Sequence, residues 1–466
     1  MTITSAGTVD APTLNKTLRA TFDSGRTRPL AWRKAQLAGL RRMVDEGDAE
    51  LVEALRQDLG RPPMEAFVAD IGHVKGELRH LDKHVERWMR RTKVRVPITA
   101  APAKAWVQPE PLGVALVIAP WNYPIQLLLE PMAAALAAGN CVLAKPSELA
   151  PACSAALARL IPRYLDGDAV IVVEGGVEET TALLAERWDH IFFTGSTAVG
   201  RVVAEAAAKH LTPTVLELGG KSPTYVHASA DLDVAARRIA WGKFLNAGQT
   251  CIAPDYVLAD RAVRDAFVDK LAAQVGQFYG TDPQQSASYG RIVNARHLGR
   301  LKGLLDKGAG TIVTGGTFDD SDRFFAPTIT VDPSPDSPIM QEEIFGPILP
   351  VLAVDGPEAA NGFITARPKP LALYVFANED AVVDSVVDGT SSGGVCINQT
   401  LMHLLPPDLP FGGVGDSGTG AYHGKAGFDV FSHRKSVLRK PVKPDLKMLY
   451  PPYKRRVERL VRKILR

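Results

Sequence analysis

Apolar residues recur at helical spacing through roughly the first ninety positions. Leu37, Leu40, Met43 and Val44 form one stripe, and Leu51, Leu55 and Leu59 continue it, as expected for helices facing a core. Gly60-Arg-Pro-Pro63 breaks the run, and a further helix is predicted up to Trp88. Between Val94 and Val107 the pattern changes to short β-prone pieces near Pro97, Pro102 and Pro109, which suit an edge strand or an arm. From Gly113 the pattern changes again. Strands are predicted at 113–119, 141–144, 169–173, 190–193 and 214–218, with helices at 125–138, 153–161, 178–185 and 199–209 between them. Strands that are apolar throughout and alternate with helices imply a parallel sheet covered on both faces.

The fold class is therefore α/β, with a doubly wound sheet of nucleotide-binding type. A boundary is expected near Leu218-Gly219-Gly220, followed by a second α/β run. Its strands are predicted near 256–258, 311–313, 348–354, 371–376 and 394–397. A helix spanning 231–245, with Leu232, Ala235, Ala236, Ile239, Ala240 and Phe244 on one face, leads into Asn246-Ala-Gly-Gln-Thr-Cys251. Asn246 and Gly248 end that helix. Cys251 is thus placed in a loop between a helix and a strand, where a substrate can reach a thiol. A cysteine is ordinarily a small buried hydrophobe, but the polar, flexible approach to this one is unlike core filler.

Composition narrows the picture. The 466 residues are 46% hydrophobic and 23% charged, ordinary for a globular protein of several domains. The four cysteines, Cys141, Cys153, Cys251 and Cys396, are far apart with no Cys-x-x-Cys pair, so neither a zinc site nor a disulfide framework is expected, and no metal. A reducing, cytoplasmic setting fits. The first ten residues carry no signal-peptide pattern, and the most apolar stretch, 114–143, is interrupted by Pro120, Asn122, Pro124, Gln126, Glu130 and Pro131, which excludes a membrane span. The net charge of +3 conceals an asymmetry: residues 454–466 hold seven Lys/Arg and one Glu, a net of +6, leaving −3 for the rest. The body has no basic stripe, so no nucleic-acid partner is expected.

Ligands of doubly wound sheets bind at the carboxyl ends of the strands, so those ends hold the candidate chemistry. The first ends in Pro120-Trp-Asn-Tyr-Pro124, where Asn122 is either a plain turn residue or a rigidly held amide donor. The next ends in Lys145-Pro-Ser-Glu148, either a solvated turn opening a helix or a pair that binds ribose and phosphate oxygens. Thr194-Gly-Ser-Thr-Ala-Val-Gly200 enters a helix whose start suits a pyrophosphate, although the Ser is also an ordinary N-cap and the stretch is not a G-x-G-x-x-G fingerprint. Glu217-Leu-Gly-Gly-Lys221 sets a carboxylate, a candidate general base, before two glycines. Glu342-Glu-Ile-Phe-Gly-Pro347 sets acids and an aromatic before a turn.

Together and in this order, Phe244-Leu-Asn-Ala-Gly-Gln-Thr-Cys251, Leu216-Glu-Leu-Gly-Gly-Lys221, Pro120-Trp-Asn122, Phe192-Phe-Thr-Gly-Ser196 and Glu343-Ile-Phe-Gly-Pro347 resemble the aldehyde dehydrogenase superfamily from about Leu14 to Leu438. The short N-terminal region, Pro410-Phe-Gly-Gly-Val-Gly-Asp-Ser-Gly418 and Gly420-Ala-Tyr-His-Gly-Lys425 resemble its class-3 and fatty-aldehyde branch.

The resemblance implies NAD(P)-dependent oxidation of an aldehyde, medium- or long-chain aliphatic or aromatic, to the carboxylic acid. Cys251 would attack the carbonyl, Asn122 and the Cys251 N–H would hold the oxyanion, and Glu217 would activate water against the thioester. Trp121, Lys145, Glu148, Thr194, Gly195, Ser196, Leu218, Gly219, Glu343 and Phe345 would hold the cofactor, with NAD preferred and NADP usable. Tyr123 and Trp241 would line the aldehyde pocket. The implied domains are 1–92 with 111–218 for the cofactor, 219–430 for catalysis, and 93–110 with 431–441 as an arm bridging a homodimer. Residues 442–466 form a basic tail, where Val457, Leu460, Val461, Ile464 and Leu465 share one helical face. That is the pattern of a helix lying peripherally on an anionic membrane, or else of one packed on a partner subunit, or of a frayed tail. Two other readings stand beside oxidation: a non-catalytic binding or structural protein that kept the fold, and an acyl-transferring reductase, against which Glu217 argues.

Overall fold

The computed structural model describes residues 2–3, 9–445, 447 and 450–464. The first sheet has seven strands in the order Thr2–Ile3, Val170–Val173, Cys141–Lys145, Val114–Ile118, His190–Thr194, Thr214–Glu217 and Gly418–Thr419. All neighbours are parallel except the last pair. Every residue of Val114–Ile118, Cys141–Lys145 and His190–Thr194 is buried, which is why these strands are apolar on both faces. Chain order reverses between Val114–Ile118 and His190–Thr194, so the crevice at a doubly wound sheet's switch point opens at Pro120-Trp121-Asn122 and Thr194-Gly195-Ser196.

The second sheet also has seven strands: Thr311–Thr314, Thr328–Val331, Ile348–Val354, Tyr256–Asp260, Pro223–Val226, Ala372–Phe376 and Gly394–Ile397. Only Thr311–Thr314 is antiparallel to its neighbour. Pro223–Val226 and Thr328–Val331 are not among the strands that the apolar runs predict. Both are four residues long, too short to show a period, and are defined by their neighbours in the sheet.

Thr92–Val94, Lys104–Pro111 and Ser432–Arg439 form a separate antiparallel sheet, where the short β-prone pieces are predicted. The chain does not stay with the second sheet to residue 430. It returns to the first sheet at Gly418–Thr419, and Tyr422, Phe428 and Phe431 are buried in the first body's core. The helix Gly424–Val430 packs on Gln126–Ala138 and Gly72–Trp88.

Among the described residues no helix is long and apolar enough to cross a membrane. Arg455–Ile464 is helical, with Leu460 exposed and Val457 and Val461 half-buried. Leu465 and Arg466 lie outside the described residues, as does the side chain of Ile464.

Candidate active site

The helix Leu232–Phe244 ends in a turn, Leu245–Gly248, in which Asn246, Ala247 and Gly248 all have positive φ, 52°, 51° and 76°. At Gly248 a Cβ would lie 2.3 Å from the Gly346 carbonyl oxygen, so only glycine fits both the angle and the space. Side-chain amides hold this strained turn. Gln249 Nε2 donates to the carbonyls of Asn246 (3.0 Å) and Arg291 (2.9 Å), and Gln249 Oε1 accepts from the Val293 N–H (2.9 Å). Asn246 Nδ2 donates to the Asn122 and Gln249 carbonyls at 2.9 and 3.1 Å. The Asn122 side chain donates to the Gln249 carbonyl at 3.1 Å. The loop after the first strand is thereby stitched to the cysteine loop.

Cys251 sits where two cavities meet. One, of about 540 Å³, lies along the switch point and is lined by Trp121, Asn122, Thr194, Gly195, Ser196, Glu217, Leu218, Gly219, Glu343 and Phe345. The other, of about 460 Å³, is lined by Tyr123, Trp241, Leu245, Phe278, Tyr279, Leu401 and other mainly apolar side chains. Leu127, Cys251, Phe411 and Tyr422 line both.

Of the residues proposed from sequence, Cys251, Asn122, Glu217 and eight of the ten cofactor positions therefore converge, with Tyr123 and Trp241 on the opposite side of the thiol. Lys145 and Glu148 are not among the lining residues; they pair with each other at 2.9 Å beyond the end of their strand. The Ser196 hydroxyl caps the helix Thr197–Ala208, accepting from Val199 N–H at 3.4 Å, so the ordinary N-cap reading of this serine describes its side chain.

Charge in the site follows from burial. Glu217 is 3% exposed and neither of its carboxylate oxygens has a hydrogen-bond partner, so its pKa is raised well above the carboxylate range by desolvation. Glu343 is pushed up to about 8 by burial, with the Asp255 charge adding to it. Burial and then the charges of Glu343 and Glu217 push the Cys251 thiol up to about 12. Burial thus favours the thiol form of Cys251, so attack by its sulfur would require loss of a proton.

The first cavity fits a dinucleotide. Thr194 Oγ1, Glu217 Oε1 and Oε2, and Glu343 Oε1 are buried there without protein partners, so hydroxyls and amides of a ligand would satisfy them. The backbone is cleared for close approach: a Cβ on Gly219 would meet Glu343 Oε2 at 2.0 Å, and one on Gly195 would meet the Phe193 ring at 2.5 Å. Trp121 packs edge-on to Phe345 with centroids 5.2 Å apart and lies 5.0 Å from the His297 ring.

Sequence reasoning misses several participants. Gln249 and Asn246 look like loop filler, although two amides beside a glycine are a usable signal. Tyr422 lies in the quoted Gly420-to-Lys425 motif, yet only the fold brings it to Cys251. His73 Nδ1 and Glu130 Oε1 lie 2.5 Å apart, with His423 Nδ1 3.8 Å from the other carboxylate oxygen. These three could supply metal ligands, but His73 and Glu130 are in direct contact, closer than two ligands of one ion. Two ligands about 2.0–2.2 Å from a tetrahedral ion lie more than about 3 Å apart.

A doubly wound sheet with a crevice that fits a dinucleotide, and a cysteine at the junction between that crevice and an apolar pocket, are the marks of a nucleotide-dependent enzyme with a candidate thiol nucleophile. The family described as "Aldehyde dehydrogenase family" matches residues 1–437, and the chain belongs to it. It is 50% identical to rat dimeric NADP-preferring aldehyde dehydrogenase over 94% of this chain and 96% of that one. It is 49% identical to rat aldehyde dehydrogenase family 3 member A2 over 93% and 90%. A substrate-bound structure of Staphylococcus aureus AldH superposes with a TM-score of 0.95 at 42% identity, covering 98% of this chain and 99% of that one. The chain is an oxidoreductase that uses NAD(P).

Proposed function

We propose that the enzyme oxidises apolar aldehydes, aliphatic of medium or long chain or aromatic, to carboxylic acids, with Cys251, Asn122 and Glu217 as the catalytic residues. The observation that carries this is the thiol at the meeting point of the crevice and the apolar pocket. Among the described residues no lysine or arginine lines the pocket, and Glu65 does, so a carboxylated or phosphorylated aldehyde gains no Lys or Arg counter-charge there.

Cys251 Sγ attacks the carbonyl carbon, the C=O π pair moves onto oxygen, and the thiol proton passes to solvent water in the pocket. The Asn122 amide and the Cys251 N–H stabilise the oxyanion of the thiohemiacetal. NAD(P)+, which Trp121, Ser196, Glu343 and Phe345 would hold in the crevice, would supply the hydride acceptor. Glu217 takes a proton from the water that attacks the resulting thioester, and the acid leaves with the thiol regenerated. Burial raises its pKa, which makes its carboxylate form a stronger base toward that water. The Glu148 carboxylate disfavours a 2′-phosphate and Lys145 offsets part of that repulsion, which supports NAD+ as preferred and NADP+ as usable.

The test is nicotinamide reduction with aldehydes of increasing chain length and benzaldehyde. Rates rising with chain length, and lost in Cys251→Ala, are expected. No turnover by the wild type with any aldehyde would favour the non-catalytic reading.

Two further readings belong to the assembly. The arm of Thr92–Val94, Lys104–Pro111 and Ser432–Arg439, whose outer strands are exposed, supports a homodimer bridged through it. The basic helix near the C-terminus supports peripheral attachment of a cytoplasmic enzyme to anionic membranes. Tyr450 and Tyr453, 57% and 71% exposed just before it, suit a headgroup layer. Cosedimentation with phosphatidylserine vesicles is expected for the full chain and not after deletion of 454–466; equal binding by both ends that reading.

A further inference from the structure

The aldehyde-oxidising reading requires the Asn122 amide to keep one orientation, and resting on that reading we infer that Arg61 is a positioning residue for the oxyanion site. Arg61 is completely buried, and burying a guanidinium is costly unless it is paired. Its contacts are directional. Nη2 donates to the Asn122 backbone carbonyl and Nη1 to the Asp70 carboxylate. The guanidinium lies over the Tyr123 ring, 4.5 Å from its centroid. Asp70 in turn accepts the Gln126 N–H at 2.7 Å, at the start of the helix that follows the Asn122 loop. One ion pair thus holds both ends of the segment from Asn122 to Gln126.

The same unit reaches the cysteine loop. The Asn122 carbonyl that accepts from Arg61 also accepts from Asn246 Nδ2 at 2.9 Å. Glu65, 3.8 Å from Arg61 Nε, accepts the Asn246 N–H at 2.7 Å. The oxyanion amide and the positive-φ turn before Cys251 are therefore braced by one set of ionisable groups, the buried Arg61 and Asp70 and the half-buried Glu65. A short helix and a π-helical turn, Pro63–Ala66 and Phe67–Ile71, carry the two acids. The principal charges acting on the thiol are Glu343 and Glu217, so Arg61 acts through geometry.

The test compares Arg61→Met, Arg61→Lys and Asp70→Asn with wild type. Steady-state kinetics are measured beside the rate of Cys251 alkylation by iodoacetamide, which needs the thiol and not the oxyanion amide. Arg61→Met is expected to lower kcat about 10- to 100-fold, a fraction of the roughly 100- to 1000-fold seen on deleting an oxyanion donor. Aldehyde KM, NAD+ affinity and alkylation rate stay within about twofold. Arg61→Lys, which keeps the charge but cannot span both acceptors with one planar fork, is expected to recover only a minor part of the loss. Should Arg61→Met fail to fold, Asp70→Asn carries the test, with kcat about 3- to 10-fold lower at unchanged alkylation. Unchanged kcat in a folded variant, full recovery by lysine, or alkylation falling in step with kcat would each overturn the inference. Wild-type inactivity toward every aldehyde would instead overturn the reading on which it rests.

Discussion

Glu217 has the chemistry of a base kept idle until needed. Its two oxygens are buried without partners, so the carboxyl resists ionisation, and the proton it takes from water goes to a group already inclined to hold one. Replacing it by glutamine keeps the shape and removes the basicity. Glu217→Gln is expected to slow turnover at least about 100-fold while a first-turnover burst of reduced cofactor survives, because thiol attack precedes the water step. Rapid-mixing absorbance checks this; a variant with no burst would assign Glu217 to attack on the aldehyde. At the same scale lies a point the chain conceals. Asn122 reads as a turn residue between two prolines, and its orientation depends on the Gln249 backbone carbonyl and the Asn246 side-chain amide, more than 120 positions away, which meet it only in the fold.

Between helix and nucleophile, the element that matters is the turn Leu245–Gly248. Three successive positive φ angles bring the chain back so that Cys251 faces both cavities. Sequence foretells that the helix ends here, since Asn and Gly stop helices, but not the shape of the stop. Gly248→Ala must place a Cβ 2.3 Å from the Gly346 carbonyl oxygen at a left-handed angle, and that angle alone costs about 1–2 kcal/mol. A stability loss above about 2 kcal/mol is expected, with kcat reduced more than aldehyde KM is raised, measured by denaturant unfolding and kinetics. Wild-type kcat in Gly248→Ala would show that the turn tolerates another shape.

The two bodies are joined by the chain's return across their seam. Glu77, on the helix Gly72–Trp88, accepts the Gly424 N–H at 2.8 Å, tying the returning segment to the N-terminal helices. Burial, with the Glu130 charge beside it, raises its pKa to about 7. The folded value lies above the unfolded one near 4.5, so the folded state binds the extra proton. The carboxyl then costs nothing below about pH 4.5, and its cost grows until it is complete above about pH 7. Glu77→Gln keeps an acceptor for Gly424 and removes the ionisation. It is expected to stabilise the enzyme by about 1–3 kcal/mol at pH 8 and to be near neutral at pH 5, read from thermal melting at both. Equal effects at the two pH values would show that Glu77 is not protonated in the seam.

The sequence by itself determined the parts whose cause is local. Apolar runs such as Val114–Ile118 can only be strands buried on both faces, and their alternation with helices dictates a parallel sheet with its ligand crevice at the carboxyl ends. Motif order carried the family and pointed to Cys251, Asn122 and Glu217 as the candidate catalytic residues. Tertiary structure decided what depends on contacts distant in the chain: the short strands Pro223–Val226 and Thr328–Val331, the return of Gly418–Thr419 to the first sheet, and the placing of Tyr422 beside Cys251. It also decided the pairing of Arg61 with Asp70 beneath the oxyanion amide. A buried charge is stable only when its partner arrives, and no periodicity along a chain records which partner that will be.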